Sequence, residues 1–329
     1  MLKNITILAT GGTIAGQAAS ATQMTGYTAG VFSVQDLLAG VPGLDALANI
    51  SGEQVCNIDS SSMTDALLLQ LAQRANELLA RTDVDGLVIT HGTDTLEETA
   101  YFLNLVLKSS KPVVVVGAMR PATAVSADGP LNLINAVKVA VQEESAGRGV
   151  LVVMNDEIYG ARDVSKTDTT NVATFKAPGG APLGFVVGGI VRYYYNSSRL
   201  HTVSTPFAVD GMTALPRVDV IYTHIGEDGT LVEAAVAAGA KGIVYAGSGM
   251  GSVHEAVEPV LTAAAAQGIA VVRASRTGSG VVTEGLERWT QAGFIPADNL
   301  NPQKARILLQ LALTVTSDRG KIKEMFAKF

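Results

Sequence analysis

One cysteine, Cys56, stands in a chain of 329 residues, so an intrachain disulfide is excluded and a thiolate metal site has no second sulfur to draw on. Charge is scarce as well. Charged residues make up 16% of the sequence, the net charge is −6, and no run of Lys or Arg offers the basic face that a nucleic acid needs. A small-molecule ligand is the expected partner instead. No stretch approaches the ~18–20 apolar residues of a membrane span, and the apolar run after Asn4 is too short for a signal-peptide core, so it reads as a strand. The four histidines, His91, His201, His224 and His254, are scattered. None stands in a recognisable esterase or protease motif, which argues against a Ser-His-Asp triad, and their spacing provides no metal site. No metal or organic cofactor is expected.

What is abundant is apolar residues, 47% of the chain, together with 34 glycines, which together describe a globular protein with many tight turns. The length exceeds what a single core of ~250–300 residues usually supports. We expect an N-terminal α/β domain over 1–195, a polar connection over 196–216 and a smaller α/β domain over 217–329. In the first half, strands at Ile5–Ala9, Gln54–Ile58, Gly86–Thr90, Pro112–Gly117 and Val150–Met154 alternate with amphipathic helices at Thr64–Arg81, Leu96–Lys108 and Leu131–Glu144. That alternation predicts a mainly parallel sheet. Four consecutive valines in PVVVVG mark a strand covered on both faces. The second domain repeats the pattern with strands at Val218–Thr223, Gly242–Ala246 and Ile269–Ala274 and helices at Leu231–Ala238, Glu255–Ala266 and Pro302–Leu313. The last of these is signalled by Asn301 as N-cap and Pro302 in the first turn.

Two strand ends carry chemistry. In ILATGGTIA, Ile7–Ala15, a buried strand breaks into Gly11-Gly12 and then offers the hydroxyl of Thr13. In GLVITHGTDTL, Gly86–Leu96, a second strand ends by presenting Thr93 beside Asp94. Open parallel sheets place ligands at the carboxyl ends of their strands, so both turns can face one pocket. Each also has a plainer reading as a helix N-cap. An aliphatic hydroxyl needs a base within hydrogen-bond reach. Lys166, in the polar segment RDVSKTDTT, is the candidate if desolvation holds it neutral, against the plainer reading of a solvated surface lysine. Between the turns, QAASATQMTGYTAG (17–30) has little to bury and carries a lone Tyr27, as a mobile loop over a site would. Gly247-Ser-Gly-Met-Gly251, after the strand GIVYA, matches part of a dinucleotide fingerprint but lacks the acidic residue that ribose binding requires.

Together these stretches resemble the bacterial type II L-asparaginase family, which includes mixed asparaginase-glutaminases, and the likeness runs from Ile5 to the C-terminus. TGYTAG, GAMRPATAVSADGP and LNPQKARILLQLAL also look like family sequence. The resemblance implies a flavodoxin-like sheet in the larger domain. It implies hydrolysis of L-asparagine, and secondarily L-glutamine, through an acyl-enzyme on Thr13 with Tyr27 beside it. Thr93, Asp94 and Lys166 would form a second triad. Ser60 would hold the substrate α-carboxylate, Asp94 the α-ammonium, with Ser61 nearby, and main-chain groups near Thr93 and Ala118 would meet the amide. It further implies a homotetramer built as a dimer of intimate dimers, in which Ser252 and Glu287 complete a neighbouring subunit's pocket. The implied location is periplasmic after removal of a leader, with a cytoplasmic alternative. Asp59-Ser60-Ser61 departs from the family pattern: Asp59 adds a charge, and Ser61 is shorter than the usual Gln or Glu. Ser252 stands where some members have Asn.

The competing reading is a pair of α/β domains that clasp a polar amino acid without chemistry. A nicotinamide enzyme built on Gly247–Gly251 is a third.

Overall fold

The computed structural model describes residues 1–329, which divide into two compact units, Met1–Ser204 with Ala208–Gly211, and Thr205–Phe207 with Met212–Phe329. In the first unit, β1 (Asn4–Gly11), β2 (Asn49–Ile58), β3 (Gly86–Thr90), β4 (Val113–Val116) and β5 (Val150–Met154) are parallel and lie in the order β2-β1-β3-β4-β5. This is the flavodoxin-like order, in which the chain leaves β1 toward one edge, then returns to place β3 on the other side of it. The crevice between β1 and β3 is therefore the topological switch point.

Alternation along each strand assigns the two faces. Ile5, Ile7, Val88, Val114 and Val116 share a core with residues of α1 (Val34–Ala39) and α4 (Gly129–Ala140). Leu8, Leu87, Ile89 and Val115, equally buried, point to the opposite face, where α2 (Asp65–Ala80) and α3 (Leu96–Val106) pack. Both faces being covered explains the uninterrupted valines of β4.

The sheet extends beyond the five expected parallel strands. β6 (Glu157–Gly160) returns antiparallel to β5 through Asn155-Asp156, whose φ angles of 51° and 65° are those of a tight hairpin turn. A short ribbon of β7 (Ser165–Lys166) and β8 (Phe175–Lys176) follows. Then β9 (Gly184–Val187) pairs with β6, and β10 (Ile190–Tyr193) pairs with β9 across Gly188-Gly189, again both at positive φ. The aromatic stretch Val191–Tyr195, which reads as a strand from its sequence, largely coincides with β10, and β9 makes it the second strand of a hairpin.

The second unit has a parallel sheet in the order β11 (Val218–Tyr222), β12 (Gly242–Gly247), β13 (Ala270–Ser275) and β14 (Ile295–Pro296). Its helices are α5 (Thr230–Ala237), α6 (Glu258–Ala266), α7 (Glu287–Gln291), α8 (Pro302–Val315) and α9 (Arg319–Lys328). Asn301 caps α8 as expected, accepting from Lys304 N at 3.0 Å. No helix is long and apolar enough to cross a membrane.

Candidate active site

At the switch point the turns after β1 and β3 touch through backbone alone. Gly12 adopts φ 80°, and a Cβ there would lie 2.3 Å from Gly92 N and Cα. A Cβ on Gly92 would in turn lie 2.6 Å from Ser60 Oγ. Thr10 Oγ1 donates to Thr90 O at 2.9 Å and ties the two strand ends together just before the turns. The absence of side chains at these glycines is what lets the following threonines, Thr13 and Thr93, share one cavity of about 450 Å³.

Neither threonine caps a helix. The short turn at Thr13–Ala15 has Gly12 at its N-cap, and α3 has Thr95 there, whose hydroxyl donates instead to Ser60 O at 2.8 Å. Thr13 Oγ1 lies 2.6 Å from Tyr27 Oη. Tyr27 is carried by the 17–28 loop, whose base is closed by reciprocal backbone bonds between Gln17 and Thr28 and whose flank is held by Ala122 N to Gly16 O at 3.0 Å. Burial raises the Tyr27 phenol above its ordinary range, and the nearby carboxylates of Asp94, Asp59 and Asp128 push it the same way, against the hydrogen bond to Thr13. Tyr27 is therefore a neutral phenol at physiological pH.

Lys166, in the polar segment RDVSKTDTT, belongs to the β7–β8 ribbon. Its Nζ donates to Thr93 Oγ1 at 3.0 Å and pairs with Asp94 Oδ1 at 2.6 Å. Lys166 is thus tied into the cavity by Thr93 and Asp94, not left as a solvated surface lysine. Its position is fixed from behind. The backbone N of Lys166 donates to Oε2 of the buried Glu97 at 2.6 Å, from the first turn of α3. Ser60, also buried, accepts from Asp94 N at 3.2 Å and lines the cavity with Asp59. Ser61 does not line it: its backbone N and hydroxyl both turn to Asp59 Oδ1, at 3.0 and 2.9 Å. Ala118 is fully buried behind the wall, and its neighbours Met119 and Arg120 reach the cavity. Asp128 holds that loop by accepting from Met119 N and Arg120 N, each at 2.9 Å for its nearer oxygen.

Ser252 and Glu287 lie in the second unit. Ser252 closes the 248–252 turn through its N to Ser248 O at 2.8 Å, and Glu287 opens α7; both are exposed. The glycine turn after β12 does not lead straight into a helix, since α6 begins at Glu258, so no helix N-terminus stands at Gly247–Gly251 to receive a pyrophosphate. No group of three His, Cys, Asp or Glu side chains is arranged to hold a metal ion.

The model of the asparaginase N-terminal domain matches residues 4–199, and that of the glutaminase/asparaginase C-terminal domain matches 217–326. The chain belongs to the asparaginase family. It is 52% identical to L-asparaginase 2 of Bacillus subtilis over 330 residues, covering 100% of this chain and 87% of the relative. It is 48% identical to the glutaminase-asparaginase of Pseudomonas fluorescens, covering 100% and 91%. A crystal structure of the probable cytoplasmic L-asparaginase from Campylobacter jejuni superposes with a TM-score of 0.97 at 50% identity, covering 99% of this chain and 100% of that one.

Sequence reasoning about this asparaginase-family chain overlooked Glu97 and Asp128, because a carboxylate that positions backbone N–H groups leaves no motif. The surroundings of His91 are those of a core residue. It is wholly buried, with Nδ1 2.7 Å from Gly92 O and Nε2 2.9 Å from Thr99 Oγ1. Since the Gly92 carbonyl only accepts, Nδ1 carries the proton and Nε2 accepts from Thr99. Burial pushes the imidazole down to about 4. Between that value and the ordinary 6.5 the unfolded chain binds a proton that the folded chain refuses. Stability from this group is thus complete above pH ~6.5 and falls by about 3 kcal/mol as the pH drops toward 4. Urea unfolding from pH 7 to pH 4 is expected to show that decline in the parent and a shallower one in His91→Asn; equal slopes would rule His91 out as its source.

Proposed function

We propose that the chain hydrolyses the side-chain amide of L-asparagine to L-aspartate and ammonia, with L-glutamine as a secondary substrate. The observation that carries this reading is the convergence of two hydroxyls, one on Tyr27 and one on a Lys166–Asp94 pair, in a single cavity. The names of the Bacillus subtilis and Pseudomonas fluorescens relatives supply the substrate class.

In this reading Thr13 Oγ1 attacks the amide carbon. Its proton passes by way of the Tyr27 phenol to the amide nitrogen, which leaves as ammonia, and the acyl group stays on Thr13 as an ester. Water then attacks the ester carbon, and the proton it gives up returns to Thr13 Oγ1 as the acid departs. Thr93, held by Lys166, orients the amide, while Ser60 receives the α-carboxylate and Asp94 the α-ammonium. We assign Ser252 and Glu287 to a neighbouring subunit's pocket in a tetramer made of two intimate dimers. We infer a periplasmic location from the type II resemblance, against the probable cytoplasmic location in the Campylobacter jejuni relative's name.

The test is a partition experiment. L-asparagine with added hydroxylamine is expected to yield aspartyl β-hydroxamate at the expense of aspartate, with ammonia release from L-glutamine slower by 10–200-fold, the span that one methylene commands. Saturable binding of asparagine without ammonia release would overturn the reading in favour of a binding module. Tyr27→Phe should lower kcat by about 10²–10³-fold, the range of a lost proton relay, with KM changed far less, as steady-state ammonia release will read.

A further inference from the structure

Arg273, in the middle of β13, is fully buried, yet no carboxylate pairs with it and its Nε has no hydrogen-bond partner. Burial pushes its guanidinium down to about 10, so it remains a cation at neutral pH. A charge kept in a protein core without a counter-ion is costly unless oriented carbonyls and a ring face replace the lost water. Here they do. Nη1 donates to Gly251 O at 2.9 Å, Nη2 donates to Glu284 O at 2.7 Å and also to Thr283 O, and the guanidinium carbon sits 4.3 Å from the centre of the Trp289 ring.

Those contacts gather two separate stretches. One is the 247–252 turn, which ends at Ser252. The other is the 283–289 segment, in which Glu287 lies between Glu284 and Trp289. Neither stretch has room for a side chain at its glycine. Gly285 has φ 71°, and a Cβ there would stand 2.8 Å from Trp289 and 3.1 Å from Arg273 Nη2. A Cβ on Gly251 would meet Val282 Cγ1 at 2.9 Å and Ala274 O at 3.1 Å. From the far side Glu258 accepts from Trp289 Nε1 at 3.0 Å and pairs with Arg288 at 2.6 Å, so α7 is fastened at both ends of the indole.

We propose that Arg273 is a positioning residue for substrate binding, whose guanidinium fixes Ser252 and Glu287 in register with each other by bridging the two backbone stretches that bear them. The inference rests on the reading that Ser252 and Glu287 complete a substrate pocket. A lysine cannot replace it, because one ammonium does not span three carbonyls and a ring.

The test uses the full-length protein and five variants: Arg273→Met, Arg273→Lys, Ser252→Ala, Glu287→Gln, and the double Arg273→Met/Glu287→Gln. Both Arg273 single variants are expected to raise KM for L-asparagine by roughly tenfold with kcat far less affected, within the ~100-fold that a displacement of about 1 Å can cost. The double variant should show less than the product of its two single effects. Trp289 is the sole tryptophan, so its emission and its quenching by acrylamide report whether the stack has loosened. If Arg273→Met does not fold, Arg273→Lys, which keeps a cation on β13, carries the test and should move KM the same way. If Ser252→Ala and Glu287→Gln raise KM while folded Arg273 variants do not, the positioning role falls and the pocket reading survives. If Ser252→Ala and Glu287→Gln leave KM unchanged, the pocket reading falls and the positioning role goes with it.

Discussion

Thr13→Ala is expected to cut ammonia release from L-asparagine by ~10⁴-fold or more while leaving the fold intact. A covalent route has no substitute once its nucleophile is gone, and what survives is only the orientation supplied by the rest of the site. The fold should tolerate the change because the Thr13 hydroxyl serves neither a helix cap nor the sheet; its one partner is Tyr27 Oη at 2.6 Å. The stability loss is then that of a small buried group, about 1 kcal/mol. Thr13→Ser, which keeps the oxygen, should recover part of the rate. Initial rates of ammonia release together with a thermal melt decide the matter: activity within tenfold of the parent in Thr13→Ala would move the nucleophile elsewhere, with Thr93 the next candidate.

Gly12→Ala is expected to remove activity by a different route, through the scaffold. The added methyl would stand 2.3 Å from Gly92 N and Cα, and the residue would be held at φ 80°. Neither problem can be relieved by rotating a side chain, since the neighbour is backbone. Strain of about 1–3 kcal/mol from the positive φ adds to about 1–3 kcal/mol of overpacking. The two turns must separate to make room, and Thr13 and Thr93 separate with them. Chemical denaturation should show the stability loss, and any folded fraction should release ammonia at under ~1% of the parent rate. Full activity in Gly12→Ala would mean that the close approach of the two turns is not what builds the site.

Much of this arrangement was legible in the sequence because it depends on short-range signals. A buried apolar run that breaks into glycine and then a hydroxyl identifies a strand end, and two such runs in a parallel sheet point the same way. The valines of β4 announced a strand covered on both faces. The antiparallel flank was missed, although its signals were present. Asn155-Asp156 and Gly188-Gly189 are two-residue turns between β-forming stretches, the pattern of a tight hairpin. They are obscured because β6, β9 and β10 have four residues each, too few for a period-two alternation to stand out. The ribbon holding Lys166 was illegible for another reason: its pairing of Ser165 with Lys176 and Lys166 with Phe175 is too short to leave a periodic pattern. Glu97 looked like an ordinary acidic residue in a first helical turn. Only the folded arrangement brings its carboxylate to Lys166 N, 69 positions away.

The register of the central strands pairs Ile5 with Gly86, so β1 finds its neighbour only after the intervening crossover through β2 and α2 has folded back. Long-range pairing of this kind is slow to form, because the entropy of closing the intervening chain is lost before any contact rewards it. Thr13 and Thr93 become neighbours only at that late stage. A nascent or partly assembled chain therefore has no rudimentary version of the cavity.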